Sequence, residues 1–149
     1  MRQEPTRDSL ESLTWNVYQK GKEVTAAQYL LAISTLQRIT RDLAKFFEKY
    51  PVWLTPTLGT PPLKIGAVDL MAENAELTDP TITDFVLVAP VYNITGQPAI
   101  SVPMHWNDAG LPIGVTLGGK YGDEATLLQL SAQLEKSSPW IERTPPICA

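Results

Sequence analysis

The stretch N-I-T-G-Q-P-A-I-S-V-P-M-H-W-N-D-A-G-L-P-I-G-V-T-L-G-G, residues 93–119, sets two β-rich apolar runs around a cluster of turn residues. Ala99 to Met104 reads as one strand and Pro112 to Gly118 as its return. Between them, Asn107-Asp108-Ala109-Gly110 offers side-chain oxygens that mimic backbone turns, then a glycine for positive φ. The segment is therefore a β-hairpin with a longer loop. Upstream, Pro90 suits the first turn of a short helix over Val91–Thr95, with Gly96 as its left-handed stop. Downstream, Gly118-Gly119 is expected to turn the chain, and Asp123 to cap a helix over Glu124–Ser137. Leu127, Leu130 and Leu134 line the core face of that helix, with Leu128 beside them. Gly114 and Gly118 are expected to mark close packing or bulges in the hairpin.

Toward the N-terminus the pattern becomes helical. Ser9 to Lys20 carries Leu10, Leu13, Val17 and Tyr18 on one face, with Asp8 as N-cap, Glu11 completing a capping box and Gly21 as the stop. Thr25 and Gln28 form a T-x-x-Q capping box that opens a helix from Ala26 to Tyr50, stopped by Pro51. At 1.5 Å per residue it is about 37 Å long. Its apolar row of Tyr29, Ile33, Leu36, Thr40, Leu43, Phe47 and Tyr50 has a second row, Ala32, Ile39 and Phe46, beside it. The heptad steps admit a coiled coil, but a stripe this broad favours packing on a sheet. V-W-L-T-P-T-L, residues 52–58, reads as a short buried strand that Pro56 ends or confines to an edge. Gly59 to Pro80 is a long surface connection, with one helical turn expected around Leu70 to Asn74. Thr83 to Val88 is too short for periodicity to separate helix from strand. Trp140 to Ala149 is expected to be irregular. Helices, strands and a hairpin together give an α/β or α+β class with a mixed sheet.

Composition excludes several functions. The chain has 149 residues, 44% hydrophobic and 19% charged, with a formal net charge of -4. That suits one domain, and the absence of clustered Lys and Arg argues against a nucleic-acid surface. No apolar run reaches the ~18–20 residues that span a bilayer, so no membrane association is expected. One cysteine and an N-terminus without an apolar core suggest a cytoplasmic setting. One His and one Cys, far apart, make a metal site improbable, and no cofactor motif occurs. Gly118-Gly119-Lys120 lacks the Ser or Thr that a phosphate loop needs after its lysine. His105, the one candidate base, sits at a turn, and Cys148 lies in a Pro-rich tail; neither reads as catalytic.

Several ordered motifs nevertheless converge. N-I-T-G-Q-P-A-I-S-V-P, then G-L-P-I-G-V-T-L-G-G-K-Y-G-D-E-A-T-L-L-Q-L, with V-W-L-T-P-T-L-G-T-P-P upstream and P-W-I-E-R-T-P-P downstream, resemble the C-terminal portion of amidase-signature enzymes. The resemblance runs from about Ser9 to Pro146. It implies the C-terminal part of an α/β/α sandwich with a mixed sheet, so residues 1–149 would form a single partial domain. It also implies hydrolysis of carbon–nitrogen bonds in amides by a Ser–cis-Ser–Lys triad, with aminohexanoate cyclic-dimer hydrolases as one subgroup. The family's Gly/Ser-rich nucleophile motif and its lysine match no position here, and Ser137-Ser138 is a helix end. The chain is thus expected to be inactive alone, with no catalytic residue assigned. Asn93, Thr95 and Gln97 are the candidates for the wall of a cleft that takes a small amide substrate in the full-length enzyme. A truncated sheet and unpaired helix faces are expected to make the isolated chain self-associate, with exchange of the first helix as one route. The alternative is a non-catalytic interaction module, or an amidotransferase-subunit fragment that binds a partner protein.

Overall fold

A computed structural model describes residues 4–143. The Cys148 and C-terminal expectations beyond residue 143 lie outside the described residues. The elements run as a 3-10 turn Arg7–Ser9, then α1 (Ser12–Lys22), α2 (Ala26–Lys49), β1 (Val52–Pro56), α3 (Pro80–Val86), α4 (Ala89–Thr95), β2 (Ala99–Trp106), β3 (Pro112–Gly119) and α5 (Glu124–Ser137).

The hairpin forms as its turn chemistry dictates. The Asn107 side-chain oxygen accepts from the backbone N–H groups of Ala109 (3.1 Å) and Leu111 (2.9 Å). Gly110 takes φ 74, open to glycine without the cost that other residues meet there. β3 is the central strand, with antiparallel neighbours β1 and β2 in the order β1-β3-β2. The three strands among the described residues thus make an antiparallel piece of sheet. The register shifts by one residue between Pro103 and His105, a bulge at Met104.

Register divides the sheet into two faces. Leu54, Leu117 and Ile100 align across the strands on one face, and Thr55, Thr116 and Ser101 on the other. α5 covers the first face over β2 and β3. There Leu117, Val102 and Leu127 are buried, and Leu127 lies against Gly119. α4 covers the second face through Tyr92, packed on Gly118. Helices on both faces of a sheet make the three layers, and the core is the thin apolar seam between them.

Several local expectations shift. The first helix begins at Ser12, because Thr6 and Ser9 close a capping box around the 3-10 turn, and Glu11 gives no side-chain cap. Gly21 stays inside α1 with an ordinary negative φ; the helix runs on to Lys22. β1 is an edge strand as Pro56 requires, but only Thr55 in it is buried and Leu54 is 66% exposed. Leu70 to Asn74 forms turns, not a helical turn. That backbone is held by α1 instead: Leu70 O accepts from Leu13 N at 3.0 Å and Met71 O from Ser12 Oγ at 2.7 Å. The ambiguous run is helical as far as Val86, since Asp79 caps α3 by accepting from Thr81 N, and Leu87 at φ 44 ends the helix. Gly118-Gly119 does not turn the chain; both are the last paired residues of β3. The turn falls at Lys120–Gly122, where Gly122 has φ 78.

α2 has the expected capping box, with Thr25 Oγ1 accepting from Gln28 N. Its seat differs from the expected sheet face. It packs chiefly on α4, and only its C-terminal turns reach β1, through Phe46 against Trp53 at 6.3 Å between ring centroids. Phe46 also meets Phe47 (5.2 Å) and Tyr50 (4.9 Å), and Trp53 meets Tyr92 (6.1 Å). The N-terminal half of α2 stands clear, with Tyr29, Leu30 and Leu31 all at least 60% exposed.

Candidate functional site

The bend from α4 into β2 positions the candidate residues. Pro90 stands in the first turn of α4, and Gly96 ends the helix at φ 70, where its N–H donates to Tyr92 O. Pro98 then fixes an extended entry into β2, and its carbonyl accepts from Gly119 N at 2.9 Å. This bend buries Thr95 and Gln97 beside each other. Thr95 Oγ1 lies 2.9 Å from Val91 O and 3.1 Å from Gln97 Oε1. The one hydroxyl proton is shared between two acceptors, so Gln97 is held with its amide N–H2 free to donate elsewhere.

Thr95 and Gln97 line one cavity of about 250 Å3, with Thr40, Ala44, Phe47 and Glu48 of α2 opposite and Lys120 and Tyr121 at the turn after β3. Asn93 is exposed on α4 and does not line that cavity. The structure therefore brings together two of the three sequence candidates. Glu48, Lys120 and Tyr121 were missed, because nothing local distinguishes a surface Glu or a turn Lys from one that faces a cavity. The cavity offers a carboxamide, the hydroxyls of Thr40, Thr95 and Tyr121, and one charge of each sign. Such groups can hold a polar ligand and orient it.

A second polar cluster lies on the same sheet face. Thr57 Oγ1 is 2.7 Å from Ser101 Oγ and 2.9 Å from Thr116 Oγ1. A Cβ on Gly114 would stand 2.7 Å from Thr57 Oγ1 and 2.9 Å from Ser101 Oγ, so glycine is what lets the three hydroxyls meet. Beside this cluster is a cavity of about 240 Å3, bounded by residues 57–62 and 112–114. Alternation of Thr and Ser with apolar residues in T-P-T, I-S-V and G-V-T was the available signal; which strand faces which was not.

Among the described residues, no Ser or Thr hydroxyl hydrogen-bonds to a His or Lys side chain. Nucleophilic attack by a hydroxyl needs such a base within reach. His105 is exposed on β2. No group of three or more His, Cys, Asp or Glu side chains that could hold a metal comes together among the described residues. No helix there is long and apolar enough to cross a membrane.

The sequence model of the Amidase family matches residues 1–128. The chain belongs to the amidase family. It is similar to the 6-aminohexanoate-cyclic-dimer hydrolase of Pseudomonas sp. (strain NK87), with 29% identity over 147 residues, 94% of this chain and 30% of that protein. The solved structure of a 6-aminohexanoate cyclic dimer hydrolase matches with a TM-score of 0.85 and 27% identity, over 95% of this chain and 31% of that one. A glutamyl-tRNA(Gln) amidotransferase subunit from Thermotoga maritima matches with a TM-score of 0.63 and 27% identity, over 85% of this chain and 25% of that one. The chain thus spans under a third of the length of these relatives. The expected family and the α/β arrangement of a hairpin with flanking helices are both found.

Proposed function

We infer that the chain is the C-terminal portion of an amidohydrolase, one partial domain that scaffolds amide hydrolysis without carrying its nucleophile. The observation that carries this reading is the match of 95% of the chain, at TM-score 0.85, to about a third of a cyclic-amide hydrolase. The substrate class is a small linear or cyclic amide. Thr95 and Gln97 form the wall of the cleft that takes this substrate, where the Gln97 carboxamide pairs with the substrate amide; Asn93, exposed on α4, is the third wall residue. A cytoplasmic setting accompanies this reading, supported by a composition with a single cysteine. The hydrolase reading is preferred to an amidotransferase component because the hydrolase superposes better, at 0.85 against 0.63.

The test is an amide-hydrolysis assay on the 149-residue chain, alone and within an amidase-length protein. The chain alone should give no turnover that serine reagents abolish. The longer protein should hydrolyse amides, and Gln97→Leu should lower its kcat/KM by roughly tenfold, the cost of about one hydrogen bond. Serine-reagent-sensitive turnover by the chain alone would overturn the reading.

A further inference from the structure

The cavity beside Thr95 and Gln97 carries two charges that no neighbour neutralises. Glu48 near the end of α2 and Lys120 after β3 border the same space of about 250 Å3. Among the described residues the ion pairs are Lys20 with Glu76 and Lys45 with Asp42, so neither Glu48 nor Lys120 is engaged in one. Glu48 also stands in the last turn of α2, the negative end of the helix dipole. A carboxylate is unfavourable there, and an arriving cation is stabilised by both. Lys49, the basic residue of that turn, lies over the Tyr50 ring at 5.4 Å. Ala44 and the buried Phe47 share the helix face of Glu48 and give the cavity an apolar wall. Gln97 is 8% exposed, and its one hydrogen bond among the described residues is accepted by its carbonyl oxygen from Thr95. The sealed side-chain atoms without a partner there are Thr55 Oγ1, Tyr92 OH and Ser131 Oγ. Gln97 Nε2 is not one of them, so this unpaired donor opens on the cavity.

We propose that this cavity is a subsite for the ring-opened product of a cyclic amide, a short chain with an ammonium at one end and a carboxylate at the other. Glu48 takes the ammonium, Lys120 the carboxylate, Ala44 and Phe47 the methylene chain, and Gln97 an amide that remains within it. The proposal rests on the amidohydrolase reading for the source of this ligand. The chemistry of that reaction supplies both charges. Water adds its oxygen to the carbonyl carbon as the C–N bond breaks. The acid formed gives its proton to the released amine, so one uncharged ring becomes one zwitterion with no net proton exchanged. The intact ring carries no charge for Glu48 or Lys120 to meet, whereas the opened chain meets both, so the two charges distinguish product from substrate. At about 250 Å3 the space lies just under the ~300 Å3 at which ligand pockets commonly begin, so it takes one short chain. The cavity beside Thr57 is bounded by no charged residue and cannot make this distinction.

The experiment follows the Gln97 side-chain amide of the 149-residue chain by NMR as the linear dimer of 4-aminobutanoate is added. The same dimer with its amine acetylated, and with its carboxylate converted to a carboxamide, serves for comparison. The free dimer should shift the Gln97 resonance, and each capped form should bind roughly threefold more weakly, the worth of one exposed ion pair. Glu48→Gln should erase the difference between the dimer and its acetylated form and keep the difference for the carboxamide. Lys120→Met should do the opposite. Damage to the fold would weaken all three ligands together, so this crossed pattern reports on the two charges alone. Added salt should shrink both differences. No shift at the solubility limit of the dimer, equal binding of the three ligands, or variants that weaken all three alike would each overturn the proposal. In an amidase-length protein the dimer should inhibit amide hydrolysis, and less so in either variant. The crossed pattern without amide turnover would support this subsite and count against the hydrolase reading. Turnover whose inhibition by the dimer ignores both variants would do the reverse.

Discussion

Gly118 shows how a single residue can be fixed by its neighbour. A Cβ there would stand 2.5 Å from Tyr92 Cε1 and 2.6 Å from its hydroxyl oxygen. Gly118→Ala should therefore destabilise the fold by about 1–3 kcal/mol, the usual cost of overpacking, measured by urea denaturation. Tyr92→Leu in the same background should recover part of that loss by vacating the space. The Tyr92 hydroxyl itself is buried with no hydrogen-bond partner among the described residues. Removing an unsatisfied buried polar atom relieves its desolvation, so Tyr92→Phe alone should leave stability unchanged or raise it by up to about 1 kcal/mol. A loss of about 2 kcal/mol or more would mean that the hydroxyl has a partner after all. At Gly96 the limit is the backbone. Its φ of 70 should make Gly96→Ala cost about 1 kcal/mol, although the nearest atom, on Tyr121, is a comfortable 3.6 Å away.

At the scale of elements, caps and tethers can be separated. Thr25 closes the N-terminus of α2, whose first turns touch little else. Thr25→Ala should lower stability by about 1 kcal/mol and fray that end, seen as faster amide exchange over the first turn of α2. α1 is tied to the connection before α3 by Ser12 and Asn16, which donate to backbone carbonyls of Met71, Glu73 and Ala75, and by Lys20 on Glu76 at 2.8 Å. The Lys20 hydrogen bond, joined by one from Thr78, holds the Glu76 carboxyl below its usual value. A carboxyl depressed in the folded state contributes stability above its unfolded pKa, and that contribution fades as pH falls through the folded pKa. Both partners are exposed, so the effect on stability is small and screened by salt. Lys20→Ala should return the Glu76 titration, followed by NMR, toward the ordinary carboxylate range. A titration that stays depressed would shift the cause to Thr78.

For the whole molecule, the long apolar flank of α2 and the scant core dominate. Among the described residues, Leu117 is the largest fully buried side chain. So little burial in a chain this long leaves a narrow margin over conformational entropy. The isolated chain should self-associate, with an apparent mass by light scattering that rises with concentration and falls again when Leu31 and Ile39 are both changed to lysine. A clean monomer at millimolar concentration would refute this. Exchange of α1 between copies is a weaker route, because its tethers are several hydrogen bonds to one connection and few contacts to the sheet.

Signals that reach only a few residues were readable from the chain without its fold. The Thr25–Gln28 box, the Asp123 cap, the Asn107–Gly110 turn and the Gly96 stop each depend on groups within four residues, and all four are found where the chain places them. Family membership was legible for a related reason: ordered motifs survive in sequence even when the partners they pack against are absent. Packing between distant residues set the rest. It kept Gly118 and Gly119 in a strand because Tyr92 and Leu127 occupy the space side chains would need. It seated α2 on α4, and it gathered Thr95 and Gln97 with Glu48 and Lys120 around one cavity. Those outcomes depend on residues tens of positions apart meeting at contact distance, and a local pattern carries no record of which distant atoms will occupy the space beside it.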